Sequence, residues 1–148
     1  MSFLGKAVVA VAAAGLAAGT VVGAGAANAA GLHGAIAFSV EDWMYGTAID
    51  AANPQDAVAE ALASCAWQGA TDCKVMVTWA DGCGALVYRD DPSDVYGVGT
   101  GAGSNREAAL FAAYASLGQY YPPAMLANVG SANLSQTGIS EVVCTANA

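Results

Sequence analysis

The sequence predicts an α+β domain built from two pseudo-symmetric strand-strand-helix-strand units, and three observations carry that prediction. First, Gly34-Ala35-Ile36-Ala37-Phe38 returns fifty residues later as Gly84-Ala85-Leu86-Val87-Tyr88. Second, Tyr45-Gly46 returns as Tyr96-Gly97, and Ala63-Ser64-Cys65 as Ala115-Ser116-Leu117, so the offset drifts only from 50 to 52. Third, each Ala-rich helical pattern follows two short β-rich runs and precedes another. The copies span about residues 33–82 and 83–148.

In the first copy, His33 to Phe38 and Tyr45 to Ile49 read as strands joined by a connection of hairpin length, Ser39 to Met44. Asn53-Pro54-Gln55-Asp56 then opens a helix, with a capping Asn, Pro in the first turn and an acid near the helix start. Its apolar stripe is Ala57, Val58, Ala61, Leu62 and Cys65. Cys73 to Trp79 closes the unit as a strand.

In the second copy, the strands are Cys83 to Tyr88 and Val95 to Gly99, around the turn formers of Arg89-Asp90-Asp91-Pro92-Ser93-Asp94. Ser104-Asn105-Arg106-Glu107 reads as a capping box. The helix it opens has the apolar stripe Leu110, Phe111, Tyr114 and Leu117. Ile139 to Cys144 is the last strand. Each unit alone would leave an open sheet edge and an uncovered face, so the economical arrangement pairs the two about a pseudo-twofold axis.

The copies differ most between helix and final strand. The first uses Ala66 to Asp72, the second about twenty residues from Gly118 to Gly138. Loops of that length inside compact domains are uncommon and are often functional. Tyr120, Tyr121, Met125 and Leu126 make this one a segment that packs on something, its own domain or a partner. With Trp43 at the first hairpin tip, they form the candidate partner surface.

The N-terminus has one cation, Lys6, an apolar Ala- and Gly-rich run to about Ala27, and the triplet Ala27-Asn28-Ala29. This is the order of a signal peptide over residues 1–29, cleaved after Ala29, with no Cys beside the site to carry a lipid. Residues 30–148 then make one domain, with no stable membrane insertion after cleavage. They keep three cations, Lys74, Arg89 and Arg106, against all twelve acidic residues. Such a charge balance disfavours nucleic acid and anionic lipid. The Ala, Gly and Val usage suits a GC-rich bacterial, actinobacterial source.

Four Cys in an exported chain of this size read as two disulfides. Cys65 and Cys73 have apolar counterparts in the second copy, Leu117 and approximately Ile139, so that pair bonds to itself and leaves Cys83 with Cys144. The short loop is worth about 2–3 kcal/mol and the long one about 4 kcal/mol on the chain-entropy account. With no CxxC and His33 as the single histidine, a zinc site is the lesser reading.

His33-Gly34-Ala35-Ile36-Ala37-Phe38, Asp72-Cys73-Lys74-Val75-Met76-Val77 and Gly82-Cys83-Gly84-Ala85-Leu86 resemble the exported bacterial family called domain of unknown function 4189. The resemblance covers essentially all of residues 30–148. It implies a small secreted domain of mycobacterial type with no general enzymatic activity, and it makes a host-directed, virulence-associated role a candidate. Leu117 departs from the family pattern, standing where Cys is common, as does the long second-half segment.

No residue set reads as catalytic, and no cofactor or metal is implied. A base-assisted nucleophile would have to use His33, which reads as a surface histidine at a strand start. Ser39 lies near Asp42 but on no nucleophile elbow. Glu41, Asp42, Asp90, Asp91 and Asp94 occupy equivalent turns and support a hydrolase only as an alternative; calcium there lacks EF-hand spacing. Gly97 to Gly103 resembles a phosphate loop superficially, but without a P-loop Lys it reads as a connector or as close backbone packing. Trp79 reads as core. The expected function is therefore an exported, non-enzymatic interaction protein whose partner is a protein or an envelope component. A structural envelope role is the further alternative.

Overall fold

The computed structural model describes residues 31–67, 69–89 and 97–148. The signal peptide expected over residues 1–29 and the acidic turn with Asp90, Asp91 and Asp94 lie outside them. Residues 31–148 form one compact unit. Its order is β1 His33–Phe38, β2 Tyr45–Ala51, α1 Pro54–Ala66, β3 Lys74–Ala80, β4 Cys83–Arg89, β5 Val98–Gly103, α2 Arg106–Gly118, a 3-10 helix Pro122–Val129, α3 Ala132–Ser135 and β6 Thr137–Cys144. This is the expected α+β class, with the strand-strand-helix-strand unit present twice.

Each unit forms its own antiparallel three-stranded sheet, β2-β1-β3 and β5-β4-β6, with the repeated strands β1 and β4 at the centres. Alternation along a strand sends successive side chains to opposite faces. In β1, Ala35 and Ala37 face α1, while Ile36 and Phe38 face the other sheet. In β4, Ala85 and Val87 face α2, and Leu86 faces across. The layers therefore run helix, sheet, sheet, helix, and the central strands are buried on both sides. An uncovered sheet face is avoided by pairing the copies.

Between the sheets sits Trp79, pressed on both repeat glycines. A Cβ on Gly34 would lie 2.7 Å from Nε1 of its indole, and one on Gly84 2.6 Å from Cη2. Real Cβ atoms do not approach that closely, so both positions must be glycine while Trp79 is present. The indole N–H is buried without a hydrogen-bond partner among the described residues. Such a donor costs about 1–3 kcal/mol, which the packing of the large ring offsets.

Small residues also bring the helices close to the sheets. The α1 layer is Ala35, Ala37, Ala48, Ala51, Ala57, Ala61, Cys65 and Ala70. On β5, a Cβ at Gly99 would lie 2.7 Å from Leu117 N, and at Gly101 and Gly103 2.6 Å from helix carbonyl carbons. The glycine run is thus a strand whose missing side chains seat α2, the close packing expected of it, and it forms no loop. The same seat corrects the helix face: Ala109 and Ala113 point inward with Tyr114 and Leu117, Leu110 is only partly buried, and Phe111 is exposed.

Other assignments also shift. The N-cap of α2 is Asn105, whose side chain accepts from Ala108 N at 2.9 Å, as Asn53 accepts from Asp56 N at 2.9 Å. Ser104 is therefore not the cap, and the two helix starts match at a constant offset of 52. Pairing sets Val98 opposite Tyr88 as Tyr45 is set opposite Phe38. The structural counterpart of Tyr45-Gly46 is thus Val98-Gly99 rather than Tyr96-Gly97, because nine residues separate the paired Tyr88 and Val98 where six separate Phe38 and Tyr45. The counterpart of Val75, opposite Ala37, is Ile139, opposite Val87, so Cys73 corresponds to Thr137.

The disulfides are Cys65–Cys73, which ties α1 to the start of β3, and Cys83–Cys144, directly cross-strand between β4 and β6. Beyond Cys144, Thr145 N donates to Gly82 O at 2.9 Å and Ala146 N to Asp50 at 2.7 Å. These bonds hold the end of the chain against both hairpin bases.

Replacing Gly34 or Gly84 by Ala will cost about 2–3 kcal/mol by overpacking, read from urea unfolding of the oxidised protein. Gly34→Ala combined with Trp79→Leu will cost clearly less than the two single losses added. Strict additivity would show that Trp79 is not what excludes the methyl group.

Candidate functional site

Two features beyond the core can meet other molecules, and the first is a cavity at one end of the space between the sheets. It has a volume of about 140 Å³ and is lined by Phe38, Trp43, Tyr45, Leu86, Tyr88, Val98 and Ser140. The repeat explains its position, since Phe38 and Tyr45 of the first sheet face their counterparts Tyr88 and Val98 of the second. Tyr45 is large and Val98 small, so the two halves do not fill the space equally.

Trp43 walls the cavity at the cost of backbone strain. Its φ of 55° lies in the left-handed region, which costs a non-glycine residue about 1–2 kcal/mol. Its ring meets Phe38 edge to face, with centroids 5.5 Å apart and planes at 88°. Expected at an exposed hairpin tip, Trp43 is instead half-buried and packs against the inter-sheet cluster.

The opposite wall is shaped by a β-bulge. Both β1–β3 and β4–β6 change register at the same place, leaving Met76 and Ser140 as the extra residues. A bulge re-aims side chains, and Ser140 lines the cavity. The Tyr45 hydroxyl donates to Glu141 Oε2 at 3.4 Å and accepts from Ser140. Burial, reinforced by the Glu141 carboxylate, pushes its pKa above the ordinary 10.0, while Ser140 pulls the other way. Tyr45 is a neutral donor throughout the physiological range.

The second feature is the segment 118–138. It packs on its own domain through Ala124, which is fully buried, and through Tyr121, whose ring lies 4.3 Å below the Arg89 guanidinium. Tyr121 OH also donates to Gln136 at 3.3 Å, so this residue fastens the segment. The outer side is different: Tyr120 is 84% exposed, Val129 74% and Leu134 71%, and Met125 and Leu126 are exposed as well. Phe111, 57% exposed, borders them, because Asn128 Nδ2 donates to Phe111 O at 3.4 Å and lies 3.9 Å from Met125 Sδ. Sequence reasoning missed Phe111, which it placed in the core, and Val129 and Leu134. Trp67 is exposed beyond the end of α1.

The polar residues weighed for catalysis hold turns. Ser39 is fully buried and donates to Asp72; the other Asp72 oxygen accepts from Val40 N at 3.0 Å and Glu41 N at 3.2 Å. Asp42 N donates to Ser39 Oγ at 3.0 Å. Asp72 thus latches the first hairpin, and Glu41 and Asp42 contribute backbone amides to the turn. His33 is a ladder residue between Ala51 and Ala80. Asp81 accepts from Leu32 N at 2.8 Å and from Asn147 at 2.6 Å. Among the described residues no group of three His, Cys, Asp or Glu side chains is placed to hold a metal ion.

The Ser39 hydroxyl holds the Asp72 carboxyl below its ordinary 3.8, with the two turn amides adding to the effect and desolvation opposing it. A depressed folded-state pKa stabilises the fold above the unfolded value, and that contribution is lost as pH falls through the folded pKa. Asp72→Asn will therefore lower the urea midpoint at pH 7, and its deficit against wild type will shrink below about pH 4. A deficit independent of pH would show that the latch does not depend on the charge of Asp72.

Disulfides are typical of extracellular proteins, and among the described residues no helix is long and apolar enough to cross a membrane. No curated protein and no solved structure matches the chain. A family model matches residues 33–124, from the start of β1 into the 3-10 helix, spanning the first unit, both glycines that hold Trp79 and three of the four bridging cysteines. The chain belongs to the family described as Domain of unknown function (DUF4189).

Proposed function

We propose that this protein is an exported, non-enzymatic interaction domain that meets a partner through the outer side of α2 and the segment 118–138. The observation that carries the proposal is a contrast of charge. From Gly118 to Gly138 there is no Asp, Glu, Lys or Arg, in a chain of net charge −8. This same stretch exposes Tyr120, Met125, Leu126, Val129 and Leu134 beside Phe111. Apolar side chains grouped without charge mark contact surfaces, and depletion of charge with enrichment of aromatic residues and Met is the composition of an interface centre.

The residues beneath support the same reading. Ala124 and the Arg89–Tyr121 contact hold the segment in place, so a partner meets a preformed surface and less ordering opposes binding. The partner is a protein or an envelope component, and a host-directed role is the candidate setting. The alternative hydrolase lacks comparable support, because Glu41 and Asp42 belong to a turn latched by Asp72.

Export is part of the proposal. The extracellular protein will begin at Ala30 and have a mass four hydrogens below that of the reduced chain, by intact-mass spectrometry. A retained N-terminal segment or free thiols would count against export by a cleaved signal. For binding, Phe111→Glu with Val129→Glu alters exposed positions only, and the variant will unfold with an unchanged urea midpoint. A partner captured by the oxidised wild-type protein from culture medium, envelope or host fractions will bind the variant at least tenfold more weakly. Equal capture by both would remove this face from consideration.

A further inference from the structure

We propose that the cavity between the sheets binds a small alkylammonium headgroup, of the trimethylammonium class. Among the described residues, four of the seven that line it are aromatic: Phe38, Trp43, Tyr45 and Tyr88. Phe38 and Trp43 stand at 88° to one another, so they form a corner rather than a stack. Aromatic walls around a cation attract it through their ring quadrupoles, an interaction strengthened where water is excluded. The volume of about 140 Å³ suits one compact headgroup and is close to that of an engineered cavity, about 150 Å³, that takes a benzene ring.

Charge selects the cation over a neutral group of the same shape. The Glu141 carboxylate is anchored beside the cavity by the Tyr45 hydroxyl at 3.4 Å and by Val142 N at 3.0 Å. With the chain at net charge −8, the surrounding field favours cations and opposes anions. A quaternary ammonium has no N–H to satisfy, so it needs only aromatic surface and a nearby negative charge. Ser140 and the Tyr45 hydroxyl supply the polar edge at which a headgroup's substituent can leave toward solvent.

Two backbone features shape the cavity, and neither is needed by a simple sheet. Trp43 is held at φ 55°, and strained backbone of this kind clusters at functional sites and ligand clamps. The bulge at Ser140 turns that residue into the cavity, whereas Met76, the equivalent bulge residue of the other sheet, is exposed. The same architectural device thus has a different use in each half.

The test is a titration of the full oxidised protein with tetramethylammonium, choline and the neutral choline isostere 3,3-dimethyl-1-butanol, followed by Trp fluorescence and by NMR shifts of the cavity residues. Both cations will bind saturably, with Kd on the order of 1 mM or tighter, and the isostere at least about tenfold more weakly. Glu141→Gln will weaken the cations several-fold and leave the isostere unchanged. Val98→Phe, which fills the cavity from its small side, will abolish binding of both cations, and Trp43→Phe will retain more affinity than Trp43→Leu. Equal affinity for choline and its isostere would overturn the assignment in favour of a neutral apolar pocket. Absence of saturable cation binding to a wild-type protein with a cooperative urea transition would overturn it outright.

Discussion

Trp79 against Gly34 and Gly84 is the contact on which the rest of the molecule depends. Both glycines lie in central strands, so their missing side chains let one indole occupy the middle of the inter-sheet space. Ile36, Phe38 and Leu86 surround it, and this cluster joins what are otherwise two separate sheet-and-helix layers. The cavity exists at one end of the same space because Trp79 fills one region and Phe38, Tyr45, Tyr88 and Val98 surround another without closing it.

The outer layers use a different economy. Alanine buries little apolar area, about one methyl group each, so the α1 layer derives limited stability from burial alone. Glycine and alanine compensate by letting helix backbone approach strand backbone closely, as at Gly46, where a Cβ would lie 2.7 Å from Ser64 C. The Cys65–Cys73 bridge lies in that thin layer. In the second half Leu117 and Tyr114 fill the corresponding space, and Ala124 adds a further layer. The segment 118–138 is therefore part of the core on its inner side as well as a surface on its outer side.

Much of the fold was legible in the sequence because the repeat fixes it twice: a strand ambiguous in one copy is constrained by the other. The α+β class and the strand-helix order follow from that redundancy. What escaped detection depends on close approach in three dimensions. Gly99, Gly101 and Gly103 carry no strand propensity, and only α2 lying on them explains the strand. Phe111 fits a helical stripe, yet the inward face belongs to the smaller Ala109 and Ala113 because the glycines draw the helix in. Segment 118–138 lacks the periodicity of a regular helix and its prolines mark a break, so its 3-10 turns were not readable. At the candidate sites, Tyr120, Met125 and Leu126 were legible from their apolar character in a long insertion. The cavity was not, because it joins residues from both halves and depends on a bulge that leaves no mark in sequence.

The pairing registers place Val143, opposite Gly84, at the position that corresponds to Trp79, opposite Gly34. Both residues belong to the same central cluster, and the indole of Trp79 covers both glycines. A homodimer of half-length chains would carry one residue type at both places and would have to choose between two colliding tryptophans and two valines around a void. Joining the halves in one polypeptide removes that symmetry requirement. It lets a large side chain on one half be matched by a small one on the other, which an assembly of identical subunits about a true twofold axis cannot do.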